Sequence, residues 1–264
     1  MYYKEYLRAR KSLAIFILVA TCLLGISLLI SMGGPVVVNI GDDQKAAHDA
    51  ARAAAHVTVG IPWLEFFGAA ALIAAVMSTV LGSTLAQEND GHLELACTKP
   101  VSRTRYVATA MGIDITAVVL TQLVAFAFIL IPIYLFGHRT IHLVQGHDAG
   151  VNALRLALFP IAWYAVIVGL SAGTRGKAGI VQGLIWPITL ALVALREAPF
   201  SSAWHSVFLA LNAVNPLIYA SYKSGDVNII GATPLNVLTS TVMLGVFVVA
   251  GWAAATLQWR RVEA

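Results

Sequence analysis

The chain has 264 residues, of which 59% are hydrophobic and only 11% charged, with a formal net charge of +4 and a mean hydropathy of +0.79. A water-soluble domain carries about 25% charged residues, and a chain of this length buries a large core without so deep a deficit. The composition is that of a membrane protein and excludes an ordinary soluble domain.

The amino-terminal stretch YYKEYLRARK, within residues 1–11, sets Tyr2, Tyr3, Tyr6 and Leu7 on one helical arc and most of its charges on the other. That pattern predicts an interfacial helix with rings at headgroup depth and basic groups near anionic lipid. About 20 apolar residues cross a bilayer as helix. On that measure the expected spans are 12–32, 66–86, 115–137, 156–174, 178–195 and about 235–257. The third is entered by an interfacial stretch from Tyr106 to Asp114. The fourth and fifth form a tight hairpin around RGK, residues 175–177, and Pro160 and Pro187 are candidate kinks. The first span is too long for a typical signal h-region, so no cleavage is expected. Cys22 lies in an apolar run and Cys97 in a charged one, which speaks against a disulfide between them.

With both termini in the cytoplasm, the inner segments carry Lys4, Arg8, Arg10, Lys11, Lys99, Arg103, Arg105, Arg175, Lys177, Arg260 and Arg261. Lys45, Arg52, Arg139, Arg155, Arg196 and Lys223 fall outside. This bias is what the positive-inside rule requires of a six-span chain in a cell membrane. The net charge therefore reads as topology. No basic patch interleaves with exposed aromatics, so nucleic acid is not an expected partner, whereas membrane lipid is.

Between the second and third spans lies QENDGHLELACTKPVSRTR, residues 87–105, a dense mixed-charge connector. HLELA favours a short helix and KPVS ends it. Pro100 holds Lys99 extended, and Ser102 can cap the next helix. Such a stiff cytoplasmic element can pass force from a soluble partner into two spans. A solvated interhelical loop is the alternative from physics alone.

The run LAQENDGHLELACTKPVSRTRYVATAMG resembles the signature of the ATP-binding-cassette type-2 export permeases. In that pattern an acidic, Gly-containing stretch leads to a Leu-Glu pair and then to (T/S)KPVSR. Glu88, Gly91, Leu93, Glu94, Pro100, Val101, Ser102 and Arg103 stand at those positions, and His92 replaces a small polar residue. The resemblance implies an all-α fold of six transmembrane helices in a bacterial inner membrane, with an interfacial helix, a coupling helix and external re-entrant helices. It implies a separate ATPase partner that holds ATP and Mg, with Glu88 and Glu94 orienting or pairing the coupling helix and Arg103 anchoring the turn. Six helices enclose little volume, so a second permease chain is expected to complete the path. Spans one, two and five, with small residues in LLGISLLISMGG and GKAGIVQGLIWP, are the expected wall.

The external segment 196–234 is apolar yet broken by Asn212, Asn215 and Pro216. It is too short and too polar for two further spans. Short helices dipping into the outer leaflet suit it, provided protein buries their backbone, and the resemblance makes them an external gate. A surface amphipathic loop is the alternative.

Catalytic and cofactor-binding motifs are not found. GLSAGTRGKAG, 169–179, has Ser171 where a phosphate-binding loop needs Gly and Ala178 where it needs Ser or Thr. The chain is expected to be no enzyme and to bind no cofactor. His138, His142, His147 and Asp148 contain zinc- or copper-ligand types, but interfacial polarity explains them and no metal site is expected. Intramembrane carboxylates usually signal function; Glu65 and Asp114 are expected at span edges, and Gln122 and Gln182 inside spans three and five. Two other functions remain: an ion-coupled carrier, and a non-transporting membrane assembly factor.

Overall fold

The computed structural model describes residues 6–7, 9–18, 59–61, 63–87, 103–136, 141–143, 149–173, 178–198, 202–221, 223–224, 227–228 and 235–261. Residues 6–7 are helical, as is α1, residues 9–18. The long helices are α2 (Trp63–Gln87), α3 (Arg103–Phe136), α4 (Ala149–Gly173), α5 (Ala178–Glu197) and α8 (Val237–Arg261). Two short ones, α6 (Ser202–Ala213) and α7 (Pro216–Ala220), lie between α5 and α8. The strands are brief. β1 (Val59–Ile61) pairs in parallel with β2 (Ile141–Leu143), Gly60 opposite His142, and β3 (Lys223–Ser224) pairs antiparallel with β4 (Val227–Asn228).

Among the described residues, five helices are long and apolar enough to cross a membrane, over Trp63–Ser83, Val107–Ile131, Ala149–Ser171, Gly179–Arg196 and Val237–Gln258. The chain is an all-α, multi-pass membrane protein. These five match the last five spans expected from sequence, while residues 19–32 of the first lie outside the described residues. α1 is helical across the 11/12 position, where an interfacial helix was expected to give way to a span.

Side-chain contacts fix the directions of the helices. Ser78 and Thr79 of α2 meet Pro160 and Trp163 of α4, so these two run parallel. Thr79 and Ser83 of α2 meet Trp186 and Gln182 of α5 in reversed order, so that pair is antiparallel. Asp114 and Gln122 of α3 meet Tyr164 and Leu156 of α4, again reversed. One end of the bundle therefore gathers the start of α2, the end of α3, the start of α4 and the end of α5, together with α6, α7 and the start of α8. The 87–105 connector leaves from the opposite end.

α4 and α2 form the centre. Their apolar windows are 56% and 50% buried, against 17% for α5 and for α8. Lipid is as apolar as Leu, so close packing of small residues holds spans together better than apolar area does. On α2, Ala71, Ala74, Ala75, Ser78 and Gly82 recur at helical spacing on the buried side. A Cβ added at Gly82 would come 2.8 Å from Cγ2 of Ile167. Gly82 thus lets α2 lie close on α4 of the same chain. At Gly251 the approach is closer: a Cβ would stand 2.5 Å from the carbonyl oxygen of Ala165, so only glycine lets α8 lie on α4 here. Asn236 caps α8, its side-chain oxygen accepting from the Leu238 amide at 2.9 Å.

Two expectations need correction. Asp114 was placed at the edge of span three, but α3 is continuous from Arg103 and its apolar window opens at Val107, so Asp114 lies two turns inside. Arg155 was counted among the external charges, but it stands within the apolar window of α4 and is 0% exposed. Both were read as span boundaries because a charge in lipid is costly. Packed against neighbouring helices, a charged residue need not end a span.

Candidate functional site

A seam of polar side chains runs between the central helices. Its middle is Thr79 of α2. A hydroxyl has one proton to give and two lone pairs, and all three are used. Oγ1 donates to the Ala75 carbonyl at 3.0 Å, and accepts from the indoles of Trp163 at 2.8 Å and Trp186 at 3.1 Å. The two indoles pack with centroids 4.6 Å apart. One turn along α2, Ser83 donates to the Val80 carbonyl at 2.9 Å and accepts from the Gln182 amide of α5. The expected intramembrane Gln182 therefore has a defined role: with Trp186 it ties the peripheral α5 to α2.

Gln122 has a second such role, set by proline. Pro160 has no N–H, so the Leu156 carbonyl one turn earlier loses its helical donor. Gln122 Nε2 donates to that carbonyl from α3 at 3.2 Å. The Pro160 carbonyl accepts from Ser78 Oγ at 2.9 Å. Pro160 and Pro187 both lie inside their helices, and neither helix ends there. A neighbouring span supplies what the proline of α4 removes.

Nearer the connector end, Asp114 is 0% exposed and accepts from the Tyr164 hydroxyl at 2.8 Å. The Tyr164 ring packs in the apolar cluster of Val107, Ala110, Met111, Val118 and Val168. The sequence singled out Asp114 but not its partner, because nothing in the order of residues says that Tyr164 faces it. Glu65, in the first turn of α2, is half-buried.

The expected gate residues lie at the other end. Asn215 N-caps α7 with φ −98° and ψ 107°, its Oδ1 accepting from the Leu217 amide at 3.1 Å, and Pro216 follows at the first helical position. Its Nδ2 donates to the Thr189 carbonyl of α5 at 3.1 Å. Asn212 Nδ2 donates to the carbonyls of Leu192 at 2.7 Å and Phe208 at 2.9 Å. Both asparagines are buried and bind α6 and α7 to the last turns of α5. Every residue of α7 is buried, in a wedge against α4, α5 and α8. Burial pushes the Tyr219 phenol above its ordinary value, with the Arg196 guanidinium pulling it down; the neutral hydroxyl donates to the Ala213 carbonyl at 3.0 Å. α6, by contrast, exposes Trp204, Val207, Leu209 and Leu211.

Glu88, Gly91, Leu93, Glu94 and Pro100 lie outside the described residues, and Arg103 is the first residue of α3. Among the described residues no group of three His, Cys, Asp or Glu side chains is placed to hold a metal ion. His138, His147 and Asp148 lie outside them; His142 pairs with Gly60 through the strand ladder.

Compared with known proteins, the chain matches no family model, no curated protein and no solved structure.

Proposed function

We propose that this chain is the membrane-spanning permease subunit of an ATP-driven exporter of the ABC type, coupled at the 87–105 connector to a separate ATPase that holds ATP and Mg. The observation that carries the reading is the α6–α7 segment. Its helices are too short to cross a bilayer, yet α7 is wholly buried, and the segment sits at the end of the bundle opposite the connector. A permease needs a force-receiving element on one side and a closure on the other, and these two segments supply them.

In this reading the connector end is cytoplasmic, as the basic residues favour, and Asn212, Asn215 and Pro216 hold an external gate. The path lies between two permease chains. α5 exposes Ile180, Leu184 and Ile188 along one side, a face suited to a second copy, while Gln182 and Trp186 tie it to α2. Closing of the ATPase pair would draw the connectors together and shift α5 with α6 and α7, which Asn212 and Asn215 bind to it. No covalent chemistry falls to this chain.

The test is Glu94→Arg. Charge reversal at an interface replaces attraction with repulsion and strands its partner. The variant should insert and dimerise normally but lose its ATPase on purification and fail to stimulate ATP hydrolysis. Undiminished association and hydrolysis would make the connector a solvated loop.

Ion-coupled transport has one observation in its favour, the buried Asp114–Tyr164 pair. Carriers driven by ions place such groups inside the membrane. Uptake or efflux in liposomes under a proton gradient without ATP, abolished in Asp114→Asn, would favour it over the ATP-driven reading.

A further inference from the structure

α1 and α3 do not close fully on each other. Ala9 of α1 is buried in the same cluster as Val107, Ala110 and Met111, the first turns of the α3 window. Beyond that contact the helices part to leave a groove of about 310 Å³. This is near the lower limit of small-molecule sites, about 300–1,000 Å³, and suits part of a flexible chain better than a whole rigid ligand.

The lining of the groove divides by chemistry. Leu13, Ile113, Ala117 and Leu120 make its walls apolar. Thr116 also lines it, but its hydroxyl is turned to the Gly112 carbonyl at 2.8 Å, which uses its proton within the helix. Tyr6 and Arg10 supply a phenol and a guanidinium, and both are exposed. Lys11 beside Arg10, and Arg105 in the first turn of α3, are exposed as well. Among the described residues that line the groove there is no carboxylate. The buried Asp114, next to Ile113, is engaged by Tyr164 on the inner side of α3.

From this pairing of a basic rim with an apolar trough, we infer that the α1–α3 groove binds one anionic phospholipid, its phosphate at Arg10 and Tyr6 and an acyl chain along Leu13, Ile113 and Leu120. A guanidinium at a membrane boundary attracts an anionic headgroup, and a phenol is at home at the same depth. The charge complementarity favours an acidic lipid over a second protein chain: Arg10, Lys11 and Arg105 are exposed and basic, and another copy would bring the same charges to them. The inference does not rest on the exporter reading; it concerns a lipid-facing seam and would hold for any activity of the bundle.

Native mass spectrometry of the full chain released from nanodiscs with equal phosphatidylglycerol and phosphatidylcholine tests it. The wild-type chain should retain phosphatidylglycerol about fivefold over phosphatidylcholine, the preference that one basic group near the surface supplies. Arg10→Gln should bring the two lipids level. Leu120→Trp, at an exposed position on the apolar wall, should lower retention of both. Equal retention of the two lipids by the wild-type chain would overturn the site, and so would variants that keep the wild-type preference and amount. Loss of a dimer in Leu120→Trp, with lipid retention unchanged, would make the groove a contact between copies and overturn it too.

Discussion

The bond from Gln122 to Leu156 lends itself to a measurement in which sequence, geometry and energy all enter. Gln122→Met keeps the length and shape of the side chain but removes the amide donor to the carbonyl that Pro160 leaves open. Hydrogen bonds between spans average about 0.6 kcal/mol and reach about 1.7 kcal/mol, while a buried carbonyl left without a donor in soluble proteins costs about 1–3 kcal/mol. The expected loss is therefore about 1 kcal/mol. Pro160→Ala restores a backbone N–H at the right place, so the carbonyl regains its helical donor and no longer depends on Gln122. In that background Gln122→Met should cost a few tenths of a kcal/mol at most, the size of error expected for uncoupled sites. Reversible unfolding of the four chains in mixed micelles closes the cycle. An equal cost of Gln122→Met in both backgrounds would refute the coupling and reduce the contact to coincidence.

Thr79→Val strands two indole N–H groups in the seam, and should destabilise the bundle by about 2 kcal/mol and loosen α5. Thr79→Ser, which keeps the hydroxyl, should restore thermal stability in detergent. Gly251→Ala should cost about 1–3 kcal/mol, because the added carbon meets backbone and not a side chain that can turn away. Gly245→Ala, which meets nothing within 4 Å, should be neutral or slightly stabilising in the same thermal assay. Replacing Asn212 and Asn215 together by Leu removes the bonds that hold α6 and α7 to α5, and should free α7. A cysteine placed at Leu217, fully buried in the native chain, should then react with a membrane-impermeant reagent while ATPase binding is spared.

Much of the architecture was legible in the order of residues, for identifiable reasons. Charge-free length located the five described spans because a bilayer sets a minimum run of apolar side chains. Asn212, Asn215 and Pro216 stood out because a proline in an apolar segment requires nearby donors and caps, and the structure brings both asparagines to that turn. The same logic applied to Pro160 would have pointed to a donor near Leu156, but only packing names it as Gln122. Asp114 and Arg155 were displaced to span edges because sequence records a charge and not the helix that covers it. The convergence of Trp163 and Trp186 on Thr79 depends on the rotation of three helices about their axes, which no local pattern encodes.

The most direct test of the exporter reading is isolation of the chain from its native membrane in mild detergent, followed by assay of ATP hydrolysis. The account predicts that a second polypeptide bearing a phosphate-binding loop co-purifies, and that its hydrolysis rate changes when Glu94 is reversed to Arg. A chain that purifies without any ATPase, and carries protons across liposome membranes in a manner lost in Asp114→Asn, would contradict it.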